Sequence, residues 1–262
     1  MARVREDFGV HLSPRWKRHI KGGGSLERSD GTLLFVKTDT RSNQYSNAQI
    51  DDYQGLRRSR FPWHPPVTLT VRARFSDPDG KLRGTAGFGF WNDPFMMTGR
   101  RPPTLPRAIW FFYASSPSDM KLDSEAPGSG WKAATIDALR PTILGLGLVA
   151  LPAALAMNVP SLYRMLWPPI QEALNIDERV LDVSMTAWHT YRIEWGVQRS
   201  RFLLDGNPVL DSPSSPRGPL GFVMWLDNQF MVVKPWGRFG WGLLENQGSQ
   251  WLEAAELTIQ PG

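Results

Sequence analysis

Two stretches of the chain combine tryptophan with carboxylates in a pattern suited to binding a sugar. Residues 84–93 read G-T-A-G-F-G-F-W-N-D, and residues 220–227 read L-G-F-V-M-W-L-D. Side chains alternate between the two faces of a strand, so a strand that buries its phenylalanines presents its tryptophan and aspartate together on the other face. An indole can stack on a sugar ring while carboxylates and amides bond its hydroxyls. The candidate ligand-binding residues are Trp91, Asn92, Asp93, Trp110, Trp225, Asp227, Asn228 and Gln229.

A structural explanation of the same residues stays open. The tryptophans could pack beneath another segment, the acids could cap turns, and Asn92-Asp93-Pro94 has the composition of an ordinary turn. Glycines alternate with phenylalanines in residues 84–90. Because glycine weakens a strand interior, it indicates a place where a ligand or another backbone comes close.

The remaining composition excludes several kinds of chemistry. The chain contains no Cys, which excludes disulfides, thiolate catalysis and zinc–thiolate sites. His11, His19 and His64 are scattered without metal-ligand spacing, and we expect a structural role for His189. The sequence therefore predicts no cofactor, no metal and no catalytic residue.

The elements that position the candidate residues are short strands separated by turns. Residues 67–75 alternate apolar and polar side chains, which is typical of an antiparallel strand with one wet face. Further strand signals cover residues 16–20, 32–38, 46–52 (more polar), 108–114 (apolar on both faces) and 251–260. In residues 188–206, two apolar runs end at Asp205-Gly206, a strong hairpin turn signal. About ten strands predict a single β-sandwich domain over residues 1–262.

The run W-H-T-Y-R-I-E-W followed by R-F-L-L-D-G-N-P-V, over residues 188–209, resembles the concanavalin A-like lectin/glucanase domains. In particular it is similar to the late strands of family 16 glycoside hydrolases. The resemblance implies an all-β fold, a jelly roll of two curved antiparallel sheets, with ligands bound on the concave face.

The chain departs from that family at its catalytic strand. The hydrolases carry E-x-D-x-E or E-x-D-x-x-E there, whereas the corresponding residues 108–114 read A-I-W-F-F-Y-A and contain no acid. Asp123 and Glu125 lie in a loop-like stretch, and Asp177 and Glu178 are adjacent, so neither pair suits the chemistry. We therefore predict non-catalytic binding of a carbohydrate or glycoconjugate. The alternative is a divergent glycoside hydrolase or lyase that uses Asp93 or Asp227.

Residues 138–181 interrupt the strand pattern. Residues 141–163 carry no charge, but Pro141, Pro152 and Pro160 break them, and strands flank them on both sides, so we do not expect a membrane span. The pattern predicts a helical insertion that covers the concave face. A second interpretation is an apolar-ligand or membrane-surface contact through residues 141–174, and the segment could instead form an oligomer interface.

The net charge of +5 is modest and comes from small groups of basic residues. Without a nucleic-acid-binding motif, the charge favours a solvated surface, and we expect no nucleic-acid partner. The first residues, M-A-R-V-R-E-D-F, lack the apolar core of a signal peptide. The expected location is cytoplasmic by default, with peripheral membrane association as the alternative.

Overall fold

The computed structural model describes residues 2–9, 11–94, 98, 101–102, 104–120, 126–138, 161, 176–233 and 239–262. A short 3-10 helix spans Arg58–Arg60. The strands are β1 (Val4–Glu6), β2 (Lys17–Lys21), β3 (Gly24–Ser29), β4 (Thr32–Thr40), β5 (Asn47–Asp51), β6 (Val67–Phe75), β7 (Thr85–Trp91), β8 (Arg107–Ala114), β9 (Asp119–Met120), β10 (Gly130–Asp137), β11 (Asp177–Val180), β12 (His189–Trp195), β13 (Ser200–Leu204), β14 (Asn207–Ser212), β15 (Gly221–Asp227), β16 (Gln229–Val233), β17 (Phe239–Leu243) and β18 (Asn246–Pro261).

Two large antiparallel sheets pack face to face. The eight-stranded sheet has the order β14-β13-β12-β6-β18-β4-β3, with β1 paired to β18. The seven-stranded sheet has the order β11-β10-β8-β7-β15-β5-β2, and a small sheet has the order β17-β16-β9. Phe88 of β7 and Tyr191 of β12 meet between the large sheets, with ring centroids 5.2 Å apart. The predicted two-sheet antiparallel jelly-roll sandwich is confirmed.

The two large sheets differ in how much of their outer faces is buried. In the eight-stranded sheet, β6 and β13 alternate buried residues with half-buried or exposed ones, as a sheet with one wet face requires. In the seven-stranded sheet, every residue of β5, β10 and β15 is buried. The seven-stranded sheet is therefore covered on both faces across these strands, and its outer face carries the candidate residues.

The hairpin motif folds largely as its sequence predicts. Strands β12 and β13 pair from Tyr191 opposite Leu204 to Trp195 opposite Ser200. Asp205 and Gly206 both have positive φ, 49° and 82°, and they connect β13 to β14. A two-residue turn with two positive φ values matches the twist of the flanking strands, which explains the Asp-Gly pair.

Among the described residues of 138–181, no helical element of the predicted insertion is seen. Its last part is wrong, because Asp177–Val180 form strand β11, which pairs with β10 and extends the seven-stranded sheet. Asp177–Val180 is thus paired, although the sequence pattern indicates strands only from Val183 onward. Residues 139–160 and 162–175 lie outside the described residues. In the part of the chain that the structure describes, no helix is long and apolar enough to cross a bilayer.

A lysine on the inner face of β4 is an unusual member of this interior. Lys37 is fully buried, and its Nζ donates to the main-chain oxygen of Asp227 at 3.1 Å. Burial lowers the pKa of Lys37 to about 7, although the nearby carboxylates of Asp227 and Asp77 oppose the shift. The side chain thus connects β4 to the end of β15 at an electrostatic cost.

Phe88→Ala should destabilise the fold by about 3–5 kcal/mol, since it leaves a cavity among aromatic rings. Phe88 is fully buried, and its ring centroid lies 5.7 Å from that of Phe111 and 5.8 Å from that of Trp131. Urea unfolding measures the change. Val197→Ala is the control, because Val197 is 68% exposed and should change stability by less than about 0.5 kcal/mol. Equal effects of the two substitutions would contradict the packing described.

Lys37→Met should alter how stability depends on pH. Between pH 7 and about 10 the unfolded chain keeps a proton that the folded chain has lost, so this lysine makes stability rise with pH. The slope is at most about 1.4 kcal/mol per pH unit. Urea unfolding at about pH 7.5 and about pH 9.5 should show the wild type gaining stability relative to the variant. Parallel pH profiles would exclude a depressed pKa for Lys37.

Candidate functional site

The outer face of the seven-stranded sheet has bare backbone in the middle of β7. Gly87 pairs with Trp225 on one side and Phe112 on the other, and Gly89 pairs with Val223 and Trp110. A Cβ atom on Gly87 would lie 2.3 Å from the main-chain oxygen of Phe111 and 3.0 Å from Trp225 Cη2, and one on Gly89 would lie 2.4 Å from the main-chain oxygen of Ile109. The glycines therefore allow the main chain of β8 to come close and, at Gly87, also the ring of Trp225, which is the close approach that the sequence pattern indicates.

Five aromatic residues occupy this space, and we call them the aromatic patch: Tyr53, Trp91, Trp110, Phe112 and Trp225. Trp91 and Trp225 are stacked with centroids 6.4 Å apart and an interplanar angle of 8°. Trp110 lies 5.5 Å from Trp225 and stacks on Phe112 at 5.2 Å. These are the offset and tilted geometries that aromatic quadrupoles favour.

The members of the aromatic patch differ in exposure. Tyr53 is fully buried and Trp225 is 8% exposed, whereas Trp91, Trp110 and Phe112 are half-buried. The last three rings are therefore the ones a ligand can touch. Trp225 packs against Trp91 and Trp110, and Tyr53 packs against Trp91, so these two buried residues support the accessible rings.

Hydrogen bonds fix the orientation of two indoles in the aromatic patch. The Trp91 Nε1 donates to the Tyr53 hydroxyl at 2.7 Å, and the Trp225 Nε1 donates to Thr85 Oγ1 at 2.9 Å. Thr85 Oγ1 in turn donates to Asp227 Oδ1 at 2.8 Å. Because its indole N–H is used within the protein, the half-buried Trp91 presents apolar ring surface to a ligand, while the buried Trp225 is held in place beneath the accessible rings.

The loop after β5 closes one side of the aromatic patch. Tyr53 lies directly on Gly221, where an added Cβ would be 2.3 Å from Tyr53 Cδ1. Arg101 lies over the rings of Tyr53 and Phe61 at 5.5 Å and 5.2 Å, and it donates to the main-chain oxygen of Tyr53. This cation–π contact holds the loop against the sheet.

The predicted residues Asn92 and Asp93 belong to the same closing structure. Asn92 is fully buried, accepts from the Arg107 amide and donates to the main-chain oxygen of Leu105. Asp93 is fully buried, and its Oδ2 accepts from Arg101 at 2.5 Å and from Thr98 at 3.0 Å. Both side chains stabilise the turn after β7, and they are therefore not proposed as ligand contacts.

Asp227 and Asn228 lie at the opposite end of the aromatic patch. Asp227 is 3% exposed, and its Oδ1 accepts from Thr85 and from the Gln229 amide. Burial raises the pKa of Asp227, and the hydrogen bonds from Gln229 and Thr85 oppose the shift. The fully buried Asn228 donates to main-chain oxygens of Arg41, Gln44 and Leu244. These two side chains join chain segments and are not open to a ligand.

Gln229 is half-buried, and its amide nitrogen donates to Asp227 at 3.0 Å. Among the predicted residues, the structure thus brings Trp91, Trp110 and Trp225 together in the aromatic patch. Asp227 and Gln229 connect to it through Thr85, while Asn92, Asp93 and Asn228 lie in buried turns.

No acid points outward from β8, the strand that the sequence resemblance compares with the catalytic strand of the hydrolases. In β8 the residues on the outer face are Ala108, Trp110, Phe112 and Ala114. Two further carboxylates on the described part of this face form hydrogen bonds or an ion pair within the protein. Asp51 accepts from Gln49 and Gln54 side chains and from two amides, and Glu178 lies 2.9 Å from the Lys132 Nζ. Asp123 and Glu125 lie outside the described residues.

Sequence reasoning missed Phe112, Tyr53 and Arg101 as parts of the site. Phe112 could have been predicted from strand alternation. If Phe111 is buried in the core, as it is, its neighbour Phe112 lies on the other face of β8 beside the glycines. Tyr53 and Arg101 carry no such signal, since long-range loop packing brings them there. His189 has the expected structural contacts: Nδ1 lies 2.6 Å from Asp205 Oδ2, and Nε2 lies 3.1 Å from the main-chain oxygen of Ser184. The described residues contain no cluster of metal-ligating side chains.

Comparison with known proteins identifies the fold but not a family. No family model matches the chain, and no curated protein matches its sequence. Among solved structures, a prokaryotic β-1,3-1,4-glucanase (lichenase) derived from a mouse hindgut metagenome is similar, with a TM-score of 0.55, 14% identity and 100% of both chains covered.

Two further similar structures have different activities in their names. One is an endo-β-1,4-glucuronan lyase from the fungus Trichoderma reesei, with a TM-score of 0.52, 13% identity, and 99% of this chain and 95% of that chain covered. The other is the carbohydrate recognition domain of Emp47p, with a TM-score of 0.51, 9% identity, and 99% and 95% covered. At these identities the likeness shows the fold, which is that of the concanavalin A-like glucanases and lectins.

Proposed function

We propose that this protein binds a carbohydrate or glycoconjugate through the half-buried rings of Trp91, Trp110 and Phe112, and that it does not cleave the ligand. The observation that carries the proposal is the aromatic patch itself. Three rings are partly open to solvent on one sheet face, and hydrogen bonds or stacking hold them in place. A preorganised aromatic surface loses little conformational entropy when a sugar ring stacks on it.

The fold supports a carbohydrate as the ligand class. Solved structures with this fold include a glucanase, a glucuronan lyase and a carbohydrate recognition domain. Fold alone does not determine function, so the proposal depends on the rings and uses the fold only to select the ligand class.

The absence of cleavage is inferred from the chemistry that glycoside hydrolysis requires. Retaining enzymes use two carboxyl groups about 5–5.5 Å apart, one as nucleophile and one as acid. On the described part of the outer face, β8 presents Trp110 and Phe112 where acids would be needed, and Asp227 is buried in a hydrogen-bond network. A stacking surface, not an acid pair, lies at the centre of the face.

One observation favours a second candidate, an apolar ligand. The indole N–H groups of Trp91 and Trp225 donate to Tyr53 and Thr85, so they are not offered to sugar hydroxyls. Of these two rings only Trp91 is open to a ligand, and a ligand without hydroxyls would forgo no hydrogen bond there. Competition between a bound glycan and an apolar dye such as ANS distinguishes the two candidates, since an apolar ligand site would bind the dye and show no response to glycans.

Trp110→Ala should weaken binding of a glycan identified on an array by about 1–3 kcal/mol, the contribution of burying one aromatic side chain. Isothermal titration calorimetry measures the change. Trp188→Ala is the matched control: it removes a half-buried tryptophan that packs against Arg72 and Arg74, 4.8 Å from each. Absence of glycan binding, or equal loss in both variants, would contradict the proposal. Release of reducing ends from the bound glycan would contradict the non-catalytic part.

Trp225→Ala should act differently from Trp110→Ala. Trp225 is 8% exposed and supports Trp91 and Trp110, so its removal creates a cavity and should lower the free energy of unfolding by about 3–5 kcal/mol. Because Trp110 is only half-buried, Trp110→Ala should lower the free energy of unfolding by less than half of that value. The free energy of unfolding of both variants, measured in urea, tests whether Trp225 supports the aromatic patch and Trp110 contacts the ligand. A larger stability loss for Trp110→Ala would reverse the assignment.

A further inference from the structure

A second candidate site lies at the edge where strands β2 and β3 of the two large sheets separate, and it shares no residue with the aromatic patch. Strand β2 is the last strand of the seven-stranded sheet, and β3 is the last strand of the eight-stranded sheet. Gly22 and Gly23 connect them, and an added Cβ on Gly23 would lie 2.2 Å from the main-chain oxygen of Thr38. The chain therefore crosses between sheets in close contact with β4, and β2 and β3 diverge from there.

A cavity of about 300 Å³ opens between the diverging strands. Three leucines form its apolar wall: Leu33 is buried, while Leu12 and Leu26 are half-buried and pack against the main core. The same cavity is lined by the arginines Arg18 and Arg28. This volume is at the lower end of the range for small-molecule sites.

Both arginines occupy positions where a sandwich ordinarily buries apolar side chains. Arg18 pairs with Ile50, and Arg28 pairs with Leu33, so each points to the core side of its sheet. Their neighbour Ile20, also on the core side of β2, is 38% exposed. The core side of this edge is thus open to solvent, and two guanidinium groups line the opening.

The charges around the cavity are complementary to an anion. An anion in the cavity would be attracted by both guanidinium groups that line it. No carboxylate of the described residues forms an ion pair with Arg18. Guanidinium groups bind carboxylates through two parallel hydrogen bonds, and the leucines would contact an attached apolar chain.

We propose that this cavity binds an organic carboxylate with a short apolar chain, with Arg18 and Arg28 holding the carboxylate and Leu12, Leu26 and Leu33 contacting the chain. The site is separate from the aromatic patch and does not depend on carbohydrate binding. A different role for inward-pointing charges on edge strands is to prevent pairing with another sheet edge. The experiment must therefore measure ligand binding and self-association together.

Decanoate, below the concentration at which it forms micelles, is the probe for calorimetric titration of the full chain. Saturable binding at one site per chain is expected. Arg18→Gln and Arg28→Gln should each weaken it about tenfold, because each removes a charge-assisted hydrogen-bond donor. Lys17→Gln is the matched control, since Lys17 lies next to Arg18 on the opposite face of β2 and should leave the affinity unchanged. Decanol and acetate, which lack the charge and the chain respectively, should each bind at least tenfold more weakly than decanoate.

Several results would overturn the proposal. No saturable binding of decanoate, equal binding of acetate, or an equal loss in Lys17→Gln would exclude a specific amphipathic site. Both arginines are exposed, so the variants should keep the wild-type melting temperature, and a melting scan of each verifies this. If an Arg18→Gln, Arg28→Gln double variant self-associates in analytical ultracentrifugation while the wild type binds no decanoate, edge protection replaces ligand binding as the role of these residues.

Discussion

The seven-stranded sheet has both faces buried over β5, β10 and β15, and this constraint determines which side chains its outer face can carry. A buried charge is tolerated only when it is paired or hydrogen-bonded. The polar groups of this face obey that requirement: Lys132 pairs with Glu178, and Asp51 accepts hydrogen bonds from Gln49 and Gln54. The centre of the face is filled instead by stacked aromatic rings over two glycines.

On a fold shared with a glucanase and a lyase, this chain carries aromatic rings on the described part of the outer sheet face. Solved structures with this fold include a lichenase and a carbohydrate recognition domain. The fold alone therefore does not determine whether a protein cleaves a carbohydrate or only binds it. In the present chain, Trp110 and Phe112 on β8 take the central positions of that face. A ligand would meet ring surface there, and the carboxylates nearby serve the protein's own hydrogen bonds.

Much of the fold follows from local sequence, and the site follows only in part. Residues 67–75 form β6 as the alternation predicts, and Asp205-Gly206 forms the expected turn, because period and turn chemistry are local properties. Strand β5, with the polar residues Asn47, Gln49 and Asp51, is fully buried, and only its neighbours in the sheet explain why.

The errors have the same physical origin. Asp177–Val180 joins the sheet through pairing with β10, although its sequence, D-E-R-V, has no strand alternation. Asn92 and Asn228 look like ligand contacts at strand ends, yet each satisfies main-chain groups of distant segments. Long-range hydrogen bonds leave little trace in local composition, so the sequence indicates that the tryptophans share a face but not that the amides beside them bond to distant main-chain groups.

The most direct measurement of the central claim is the response of the indole N–H resonances to a bound oligosaccharide in a ¹⁵N-labelled sample. The chain has 12 tryptophans, and single Trp→Phe substitutions assign their signals. Binding at the aromatic patch predicts that the Trp110 signal shifts most, with Trp91 following, while Trp188 on the other sheet and buried Trp131 stay unchanged. A glycan that binds without moving the Trp110 signal, or that moves Trp188 instead, would contradict the account.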